Sequence, residues 1–532
     1  MRCVLPALIL ASLLASTAHA QAGLEEAGRA LRTLRIEDMS AALEGLEGPE
    51  ADYLRGMEAF HRGEYDRAVR RLEAAVAVAA RPAWQSMLEL AVSTRDVVAG
   101  YEEATSDDGR YSVRYAPGPD SALVPYTLDV LRRADAVLQR ELGHVVPGPI
   151  RVEIYPSTAT LAAVSTLTVE NIETSGTIAL CKWDRLMVTS PRALLRGYSW
   201  MDTIAHEFVH LVLSRATADE APVWVQEGIA KFFERHWRES PAADAASTAH
   251  LSPSSKTLLA RALASNSLLP FERLHPSIAL LPSQEQAALA YAQVSSFIAD
   301  YYRTHGREDM QRAIALMARG ADAREALADA AGVRFPVLEH RWRASLGNMD
   351  TSDAEFLELA FGPEGSSLPE GARRHMRLAD MMWSRGRPGA AAAEYERALR
   401  QAPRHPLVAA QLARATVAHA EAGGEGASRA ESAIATLRPF VARQPDYAPL
   451  RSALAGAYAV AGQSAAAADE ARAAIRLNPF DPAPHCVLAE LEIEEAEAEG
   501  QRCRRLGGGG ARREHGAAHG GGVPRNLGDR SQ

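Results

Sequence analysis

The sequence predicts a mainly α-helical protein with one α+β domain near its centre and helical repeats on both sides of that domain. Alanine is abundant and aromatic residues make up only 6% of the chain, which favours helix-on-helix packing. Short segments with strand-like alternation lie close together in the first half of the chain. At 532 residues the chain is long enough for roughly three or four domains.

The charge balance gives no reason to expect a polyanionic partner. The formal net charge is -9 and the isoelectric point is near 6.0. A protein that binds nucleic acid or an anionic membrane surface normally carries a basic patch or a basic excess. We therefore expect no nucleic-acid partner.

The first 20 residues have the pattern of a secretory signal peptide. Arg2 supplies a positive start, Val4–Leu14 a short apolar stretch, and Ala18–Ala20 a small-x-small cleavage site. A buried amino-terminal helix is the alternative. We expect an exported protein, periplasmic or extracellular. No later segment has 18 uninterrupted apolar residues, so we expect no membrane span after signal removal.

Cysteine is scarce. Cys3 would leave with the signal peptide, and Cys181, Cys486 and Cys503 remain without C-x-x-C spacing. A chain of this length does not need a disulfide framework to build a core. We therefore predict that these cysteines are structural or incidental.

Residues 21–105 are predicted to be helical and to contain one repeat-like helix pair. The residues that fit the spacing of a tetratricopeptide helix pair are Gly56, Gly63, Tyr65, Ala68, Leu72 and Ala75. In such pairs small residues lie where two helices cross closely, and larger residues fill the groove between them. A single copy is weak evidence by itself.

Strand-like segments follow, and a helix separates the first two. Alternation predicts strands over Tyr111–Tyr115 and Ile150–Tyr155, and an amphipathic helix over Ala122–Leu142. Two further strands are expected at Gly176–Cys181 and Arg185–Thr189, joined by a turn around Trp183. The strands therefore come immediately before the helix with the strongest chemical signal.

That helix contains the pattern H-E-x-x-H at His206, Glu207 and His210. Residues four apart project from one face of a helix, so both imidazoles can reach one metal ion. Glu207 is then placed to take a proton from water at that ion. Two histidines on an apolar helix are also compatible with a structural role, in which both lie in the core with their hydrogen bonds satisfied. The neighbouring sequence therefore has to decide between a metal site and a structural role.

A second predicted helix, beginning near Pro222, supplies the missing ligand. Glu227 would lie on the part of it that faces the first helix, with Gly228 and Ala230 permitting close approach. Two histidines, one carboxylate and an open fourth position form a catalytic zinc site.

These two segments together resemble the gluzincin peptidases. H-E-F-V-H followed by W-V-Q-E-G-I-A is similar to the peptidase MA-like domains that are often fused to tetratricopeptide repeats, and Val188–Leu194 and Ala290–Phe297 add to the resemblance. It covers roughly residues 108–347 and implies a zincin-like α+β fold. It implies one zinc ion per chain held by His206, His210 and Glu227, Glu207 as general base, and a peptide or protein substrate.

Other residues have roles that the sequence leaves open. Tyr291 opens a predicted helix, at a spacing similar to that of the transition-state tyrosine in aminopeptidase N-type gluzincins; it is either an oxyanion donor or a packing residue. Asp202 either orients an imidazole or is a solvated or capping residue.

Lys231 stands where a thermolysin-like enzyme has an aspartate, which puts that supporting carboxylate in doubt. Gly176–Ala179 precedes the helix with H-E-x-x-H and is therefore the predicted strand for pairing with the substrate backbone. The sequence identifies no individual substrate-binding residue.

The carboxy-terminal part resembles the tetratricopeptide repeat family over residues 372–500, with a protein partner implied. One copy is in register at Leu378, Ala379, Gly386, Ala391, Tyr395, Ala398 and Pro403, and another at Leu454, Ala455, Tyr458, Gly462, Ala467, Ala471, Ala474 and Pro479. A linker at 348–371 precedes them. The Gly-rich tail at 501–532 holds His515 and His519 and is expected to be disordered.

Two classes of function follow. The first is a zinc peptidase whose repeats recruit a substrate or partner protein; an endopeptidase or narrow processing enzyme is favoured, because no G-x-M-E-N-like segment for binding a free amine is present. The alternative is a catalytically silent, zinc-binding repeat scaffold in the cell envelope. A quality-control peptidase for misfolded envelope proteins would differ from the first in substrate only.

Overall fold

The computed structural model describes residues 20–194, 197–238, 251–274, 278, 281–347, 368–423, 426–491, 499–504 and 506. These residues form two compact units. The first lies within residues 1–195 and 199–367, and the second within residues 196–198 and 368–532. Residues 1–19 of the predicted signal peptide, the predicted linker up to residue 367 and the tail from residue 507, with His515 and His519, lie outside the described residues.

The first unit contains fourteen described helices of α type and one five-stranded sheet. The helices are α1 (20–32), α2 (Met39–Ala42), α3 (Pro49–His61), α4 (Tyr65–Val78), α5 (Pro82–Val98), α6 (Val124–Leu142), α7 (Thr158–Ala163), α8 (Val169–Ser175), α9 (Trp200–Thr217), α10 (Val223–Phe233), α11 (Pro253–Ala264), α12 (Gln284–Met317), α13 (Ala323–Ala331) and α14 (Phe335–Ser345). The strands are β1 (Glu102–Thr105), β2 (Tyr111–Tyr115), β3 (Ile150–Tyr155), β4 (Ala179–Lys182) and β5 (Arg185–Thr189).

The sheet is mixed, with strand order β1-β2-β3-β5-β4. β2, β3 and β5 run parallel in the middle, and β1 and β4 are antiparallel at the two edges. The predicted strands at 111–115, 150–155 and 185–189 are confirmed. The strand predicted from Gly176 begins instead at Ala179, because Gly176 caps α8 in the left-handed conformation. β1 corrects the prediction that residues 21–105 are helical throughout; its residues, EEAT, carry little apolar alternation that could have indicated a strand.

β4 and β5 form a hairpin with a two-residue loop, Trp183-Asp184. Both residues have positive φ, 54° and 58°, as in a type I′ turn. This turn type fits the twist of paired strands, but it usually selects glycine or asparagine rather than tryptophan. The strained Trp183 is therefore a position where surrounding contacts have to hold the backbone.

Both faces of the central strands are buried. Val152 and Ile154 face one side of the sheet and are fully buried, with α6 and α9 packed on the sheet. Their neighbour Glu153 faces the other side, and it too is only 1% exposed. The alternation in β3 therefore does not separate a core face from a solvent face, as it does in many antiparallel sheets.

The helix pair α3–α4 covers the Glu153 side of the sheet. Tyr65, at the start of α4, donates a hydrogen bond to Glu153 Oε1 at 2.5 Å, and Arg185 on β5 bonds Glu153 Oε2 at 2.8 Å and also the Tyr65 hydroxyl. Arg114 on β2 binds Glu153 Oε1 at 3.0 Å and the carbonyl of Gly63. These charged groups are buried but mutually paired, as buried charges must be.

The close crossing predicted for α3 and α4 is present. A Cβ added at Gly56 would lie 2.7 Å from Leu72 Cγ, so only glycine permits this approach. Gly63, between the helices, has a φ of 74°. The pair packs with α5 around Phe60, Leu72 and Met87.

The second unit is built from successive helix pairs. Its helices are α15 (Glu370–Ser384), α16 (Pro388–Gln401), α17 (Pro406–Gly423), α18 (Gly426–Arg443), α19 (Ala448–Val460), α20 (Ser464–Leu477) and α21 (Pro482–Glu490). Small residues of the predicted repeat are buried where helices meet: Ala379, Ala391 and Ala398 are fully buried, with Tyr395 between them. Their assignment to the tetratricopeptide family stays a prediction.

Two of the cysteines form a disulfide bond. Cys486 on α21 is bonded to Cys503, 17 residues later, and Cys181 is free. Beside this bond the buried imidazole of His485 contacts both Glu499 and the carbonyl of Pro479. The disulfide therefore ties the helical residues 499–504 to α21, a pairing that the spacing did not reveal.

The mainly helical fold with a small mixed sheet confirms the predicted fold class at this level. None of the described helices has the length and apolarity needed to cross a membrane.

Candidate metal centre

The helix α9 carries the H-E-x-x-H pattern. It runs for 18 residues from Trp200, and its apolar neighbours Ile204, Phe208 and Val212 are buried. Burial of those faces fixes the rotation of the helix, which leaves His206 and His210 one turn apart on a single face. Their side chains remain 13% and 15% exposed, so they border an accessible space.

The helix α10 brings Glu227 to that face. Pro222 is its N-cap, and Trp224 packs against Phe271 at a ring distance of 4.8 Å. Gly228 permits a close approach, as predicted, but to α12 rather than to α9. A Cβ there would lie 2.7 Å from Ile298 Cγ1 and 2.9 Å from the carbonyl oxygen of Val294.

The structure brings the three predicted ligands together. Glu227 Oε2 lies 3.3 Å from His206 Nε2 and 3.6 Å from His210 Nε2, and the two Nε2 atoms are 3.2 Å apart. One ligand atom from each residue lies within 4.8 Å of the others, a group that can hold a metal ion. Two imidazole nitrogens and a carboxylate oxygen are the donor set of catalytic zinc sites.

The local hydrogen bonding fits a metal better than a self-contained polar cluster. Within the part of the chain that the structure describes, the buried Glu227 Oε2 has no hydrogen-bond partner, although it lies within ion-pair distance of both imidazoles. A buried carboxylate oxygen without a hydrogen bond is costly unless something else pairs with it. A divalent cation among the three atoms would supply that pairing.

Glu234, which the sequence analysis did not select, supports His206. Its Oε2 lies 3.2 Å from His206 Nδ1, and its two carboxylate oxygens contact Lys231 Nζ at 3.1 and 2.9 Å. A carboxylate that accepts the Nδ1 proton leaves Nε2 with a lone pair directed at the metal. Lys231 occupies the position of the aspartate in thermolysin-like enzymes, but its ammonium group holds Glu234, which contacts His206 in place of that aspartate.

A signal for Glu234 was present in the spacing. Residues seven apart lie on the same face of a helix, and Glu234 follows Glu227 by seven. A thermolysin-like comparison looks four residues after the ligand, where this chain has Lys231. The doubt raised by Lys231 therefore concerned one position only, and Glu234, three residues later, contacts His206 instead.

The charges in the centre depend strongly on one another. Burial alone would lower the pKa of His206, but the adjacent carboxylates of Glu227 and Glu234 raise it to about 10 in the metal-free protein. Burial alone would raise the carboxyl pKa values; instead the imidazoles hold the pKa of Glu227 well below its usual range. Lys231 and His206 likewise lower the pKa of Glu234 to about 2.

Glu207 lies beside the ligands but in a drier environment. It is 7% exposed, and burial raises its pKa, an effect opposed by the nearby imidazoles of His210 and His206. A hydrogen bond from the main-chain N–H of Cys181 on β4 also favours its charged form. A carboxylate with a raised pKa is better suited to take and return a proton near neutral pH.

Tyr291 also lies at the centre, although not at the start of its helix. α12 begins at Gln284, so Tyr291 is two turns inside. It shares a helix face with Val294 and Ile298, the residues that contact Gly228 beside Glu227. The negative charge of Glu227, then burial and the charge of Glu207, raise the pKa of the phenol well above its usual range. The phenol therefore keeps its proton.

Asp202 has neither of the roles considered for it. Its carboxylate is 2% exposed and binds Trp237 Nε1 at 3.1 Å and Arg238 Nε at 3.0 Å. It therefore fixes the segment that follows α10 rather than an imidazole. His236, in the same segment, packs against Phe232 and Phe233 and is not part of the centre.

The edge strand β4 borders the centre. Thr189 N–H bonds the carbonyl of Ile178 at 2.8 Å, and bonded and non-bonded pairs alternate along antiparallel strands. Ala179 and Cys181 therefore direct their N–H and C=O groups away from β5, towards the open edge. Only Ala179 of the predicted substrate-pairing segment is in this strand.

Comparison with known protein families agrees with this geometry. Residues 132–348 match the family model described as the Peptidase MA superfamily. The match supports a peptidase MA-like domain and a peptidase-like enzyme, as the resemblance implied, and such domains are generally metal-dependent. The matched range begins inside α6, so α1–α5, β1 and β2 precede it. No curated protein matches the chain.

Replacing Glu234 should weaken metal binding without removing a ligand. We expect Glu234→Ala to lower zinc affinity by about 10–100-fold, because the Nδ1 proton of His206 loses its acceptor. Competition with a chelator measures the affinity. Lys231→Met is the matched control and should have a smaller effect, because the 40% exposed ammonium contacts Glu234 only. Equal affinities for Glu234→Ala and wild type would show that the contact does not orient His206.

The metal-free protein should lose stability as the pH rises above neutrality. The pKa of His206 is raised from 6.5 to about 10 by folding, so its contribution is fully present below about pH 6.5 and is lost as the pH rises through 10. Glu234, with a lowered pKa of about 2, contributes above about pH 4.5 and loses this contribution as the pH falls through 2.

Urea unfolding of the metal-free protein between pH 6 and 10 tests this expectation. The free energy of unfolding should fall across that range for wild type and should be nearly flat for His206→Gln. Parallel curves for the two proteins would contradict it. Calorimetry in buffers of different ionisation enthalpy should also show proton release when zinc is added at pH 7.

Proposed function

We propose that the chain is a zinc-dependent peptidase that hydrolyses peptide bonds. The observation that carries the proposal is the convergence of His206, His210 and Glu227, with ligand atoms within 4.8 Å, beside the buried carboxylate of Glu207. The match to the Peptidase MA superfamily over the same residues supports it. His206, His210 and Glu227 would hold one zinc ion per chain.

The residues around the ligands are proposed to transfer the proton and to orient His206. A zinc ion held by the three ligands would supply Lewis acidity, which would polarise a carbonyl group and acidify water. Glu207 takes the proton from the attacking water and returns it to the amine that leaves. Burial raises the pKa of this carboxyl group, which favours the return of the proton. Glu234 and Lys231 hold the ring of His206 in place throughout.

Tyr291 is placed to stabilise the charge that develops on the carbonyl oxygen. Its phenol stays protonated because Glu227 and Glu207 are both negatively charged beside it. A protonated phenol donates a hydrogen bond to an oxyanion, and such donors act most strongly in a buried site. Tyr291 therefore acts as a donor in this proposal and not as a proton acceptor.

The open edge of β4 offers a place for an extended substrate. Ala179 directs its N–H and C=O away from β5 towards that edge, two residues before Cys181, whose main-chain N–H favours the charged form of Glu207. An extended peptide adds to such an edge through main-chain hydrogen bonds, which do not depend on its sequence. This supports unfolded or flexible polypeptide as the substrate class, and an endopeptidase over an aminopeptidase.

The helix pairs of the second unit are proposed to be tetratricopeptide repeats that recruit a substrate or partner protein. The buried alanines at their crossings support this assignment. We also propose that the protein is exported. The Cys486–Cys503 disulfide supports an oxidising compartment, where such bonds persist.

Replacing Glu207 separates metal binding from catalysis. We expect Glu207→Gln to keep one zinc ion per chain and to lower kcat for cleavage of an unfolded protein by about 10²–10⁴-fold, because the proton acceptor is lost. His206→Ala should lose the zinc as well. Glu220→Gln, an exposed residue between α9 and α10, is the control. Activity unchanged in Glu207→Gln, or a wild type that binds no zinc, would refute the peptidase. Zinc binding with no cleavage would favour the silent scaffold.

Tyr291→Phe tests the oxyanion donor. Zinc content should equal that of wild type, and kcat should fall by about 10²–10³-fold, since one donor to the oxyanion is removed while the ring remains. Tyr302→Phe, on the same helix and bonded to Glu141, controls for loss of a hydroxyl. Wild-type turnover in Tyr291→Phe would leave Tyr291 with a packing role only.

A further inference from the structure

The tip of the β4–β5 hairpin is held by residues outside the strands. Trp183, the first turn residue, meets the ring of Phe60 on α3 edge to face, with ring centres 5.4 Å apart. Asp184, the second, is bound by Arg215 on α9, with Arg215 Nε 2.9 Å from Oδ1. The two turn residues are thus attached to two different helices.

The attachment to α3–α4 continues below the turn. Arg185, the first residue of β5, is 1% exposed, and its guanidinium lies 5.0 Å from the Phe60 ring and 5.3 Å from the Tyr65 ring. Its hydrogen bonds to Glu153 and Tyr65 leave it little freedom to shift. Phe60 and Tyr65 therefore form a surface on which the base and the tip of the hairpin rest.

The same hairpin borders the metal centre at its other strand. Cys181 lies two residues before Trp183 on β4, and α9, which carries Glu207, packs against this strand. β4 is at the edge of the sheet, with β5 as its partner strand and α9 packed on it. An edge strand is hydrogen-bonded to the sheet on one side only, so fewer bonds hold it than hold a central strand. A tryptophan at positive φ is strained, so this turn needs contacts from outside to keep its conformation.

We propose that the α3–α4 helix pair is part of the catalytic apparatus of this chain: Phe60 clamps Trp183 at the hairpin tip, and this contact keeps β4 beside Glu207. Phe60 and Trp183 are positioning residues, which act through β4 and do not touch the metal centre. The helix pair lies before the range matched by the peptidase family model, so the apparatus is larger than the matched domain. The proposal rests on the proposed peptidase function.

The variants are chosen to break the clamp and keep the turn. Trp183→Asn removes the ring but places at positive φ a residue that type I′ turns favour. Phe60→Leu removes the same contact from the α3 side and keeps an apolar residue in the core. Leu43→Val is the matched control, because Leu43 is buried in a separate cluster of the amino-terminal helices with Ile36 and Met39.

Two measurements on the full-length, zinc-loaded proteins test the proposal. The first is kcat/KM for cleavage of an unfolded protein, together with zinc content. The second is hydrogen–deuterium exchange of the amides in residues 176–189. We expect both clamp variants to keep their zinc, to lose about 10–100-fold in kcat/KM and to exchange faster in β4. Leu43→Val should lower the melting temperature to a similar extent and leave both measurements as in wild type.

The outcomes separate this proposal from the peptidase function. Wild-type kcat/KM and wild-type exchange in both clamp variants would overturn the clamp while leaving the peptidase intact. An inactive wild type would refute the peptidase, and exchange in β4 would then decide the clamp by itself. Equal losses of kcat/KM in Leu43→Val and Phe60→Leu would show that the Phe60 contact acts only through the overall stability of the protein, and would overturn the positioning role.

Discussion

The placement of the imidazole of His206 between two carboxylates is the interaction on which the centre depends. Glu227 approaches its Nε2 atom at 3.3 Å, and Glu234 approaches its Nδ1 atom at 3.2 Å. Both carboxylates come from α10 or from the residue after it, so a single helix sets both sides of the ring. Gly228 allows α12 to pack closely against that helix. The tight packing of α9, α10 and α12 therefore sets the geometry on which the chemistry of the centre depends.

Paired buried charges have a similar role on the other side of the sheet. Glu153 is surrounded by Arg114, Arg185 and two tyrosines, and all of these come from different parts of the first unit. Breaking such a group would leave an unpaired buried charge, which is costly, whereas the intact group fixes one arrangement of its members. It joins the amino-terminal helices to the sheet, and the sheet holds the hairpin that borders Glu207.

Much of the centre could be predicted from local sequence. The spacing of His206 and His210 and the apolar residues between them specify one face of one helix, and helix periodicity converts this directly into geometry. The three strands at 111–115, 150–155 and 185–189 were predictable for the same reason, since alternation is a local signal. The residue that supports His206 was missed because a comparison with thermolysin-like enzymes looked at position 231, whereas helix geometry makes position 234 equally suitable.

The alternation in β3 shows where local signals end. Arg151 and Glu153 look like residues of a solvent-facing side, but α3–α4 covers that side and buries Glu153 completely. No pattern within β3 predicts the burial of Glu153, because the covering residues Phe60 and Tyr65 lie about ninety positions earlier in the chain. The disulfide is a similar case: three cysteines allow several pairings, and only the folded backbone brings Cys486 to Cys503.

By itself, the sequence determined the helical character of the chain, the positions of the central strands and the identity of the three residues that converge on one site. The helices, the strands and the pairing of His206 with His210 follow from periodicity or spacing within a single element, whereas Glu227 was selected from a second helix and the resemblance of both segments to gluzincin peptidases. The tertiary structure decided which carboxylate supports His206, where Tyr291 and Asp202 lie, and which strand edge faces Glu207. These depend on distances between elements far apart in the chain, and such distances are set by close packing and by the pairing of buried charges.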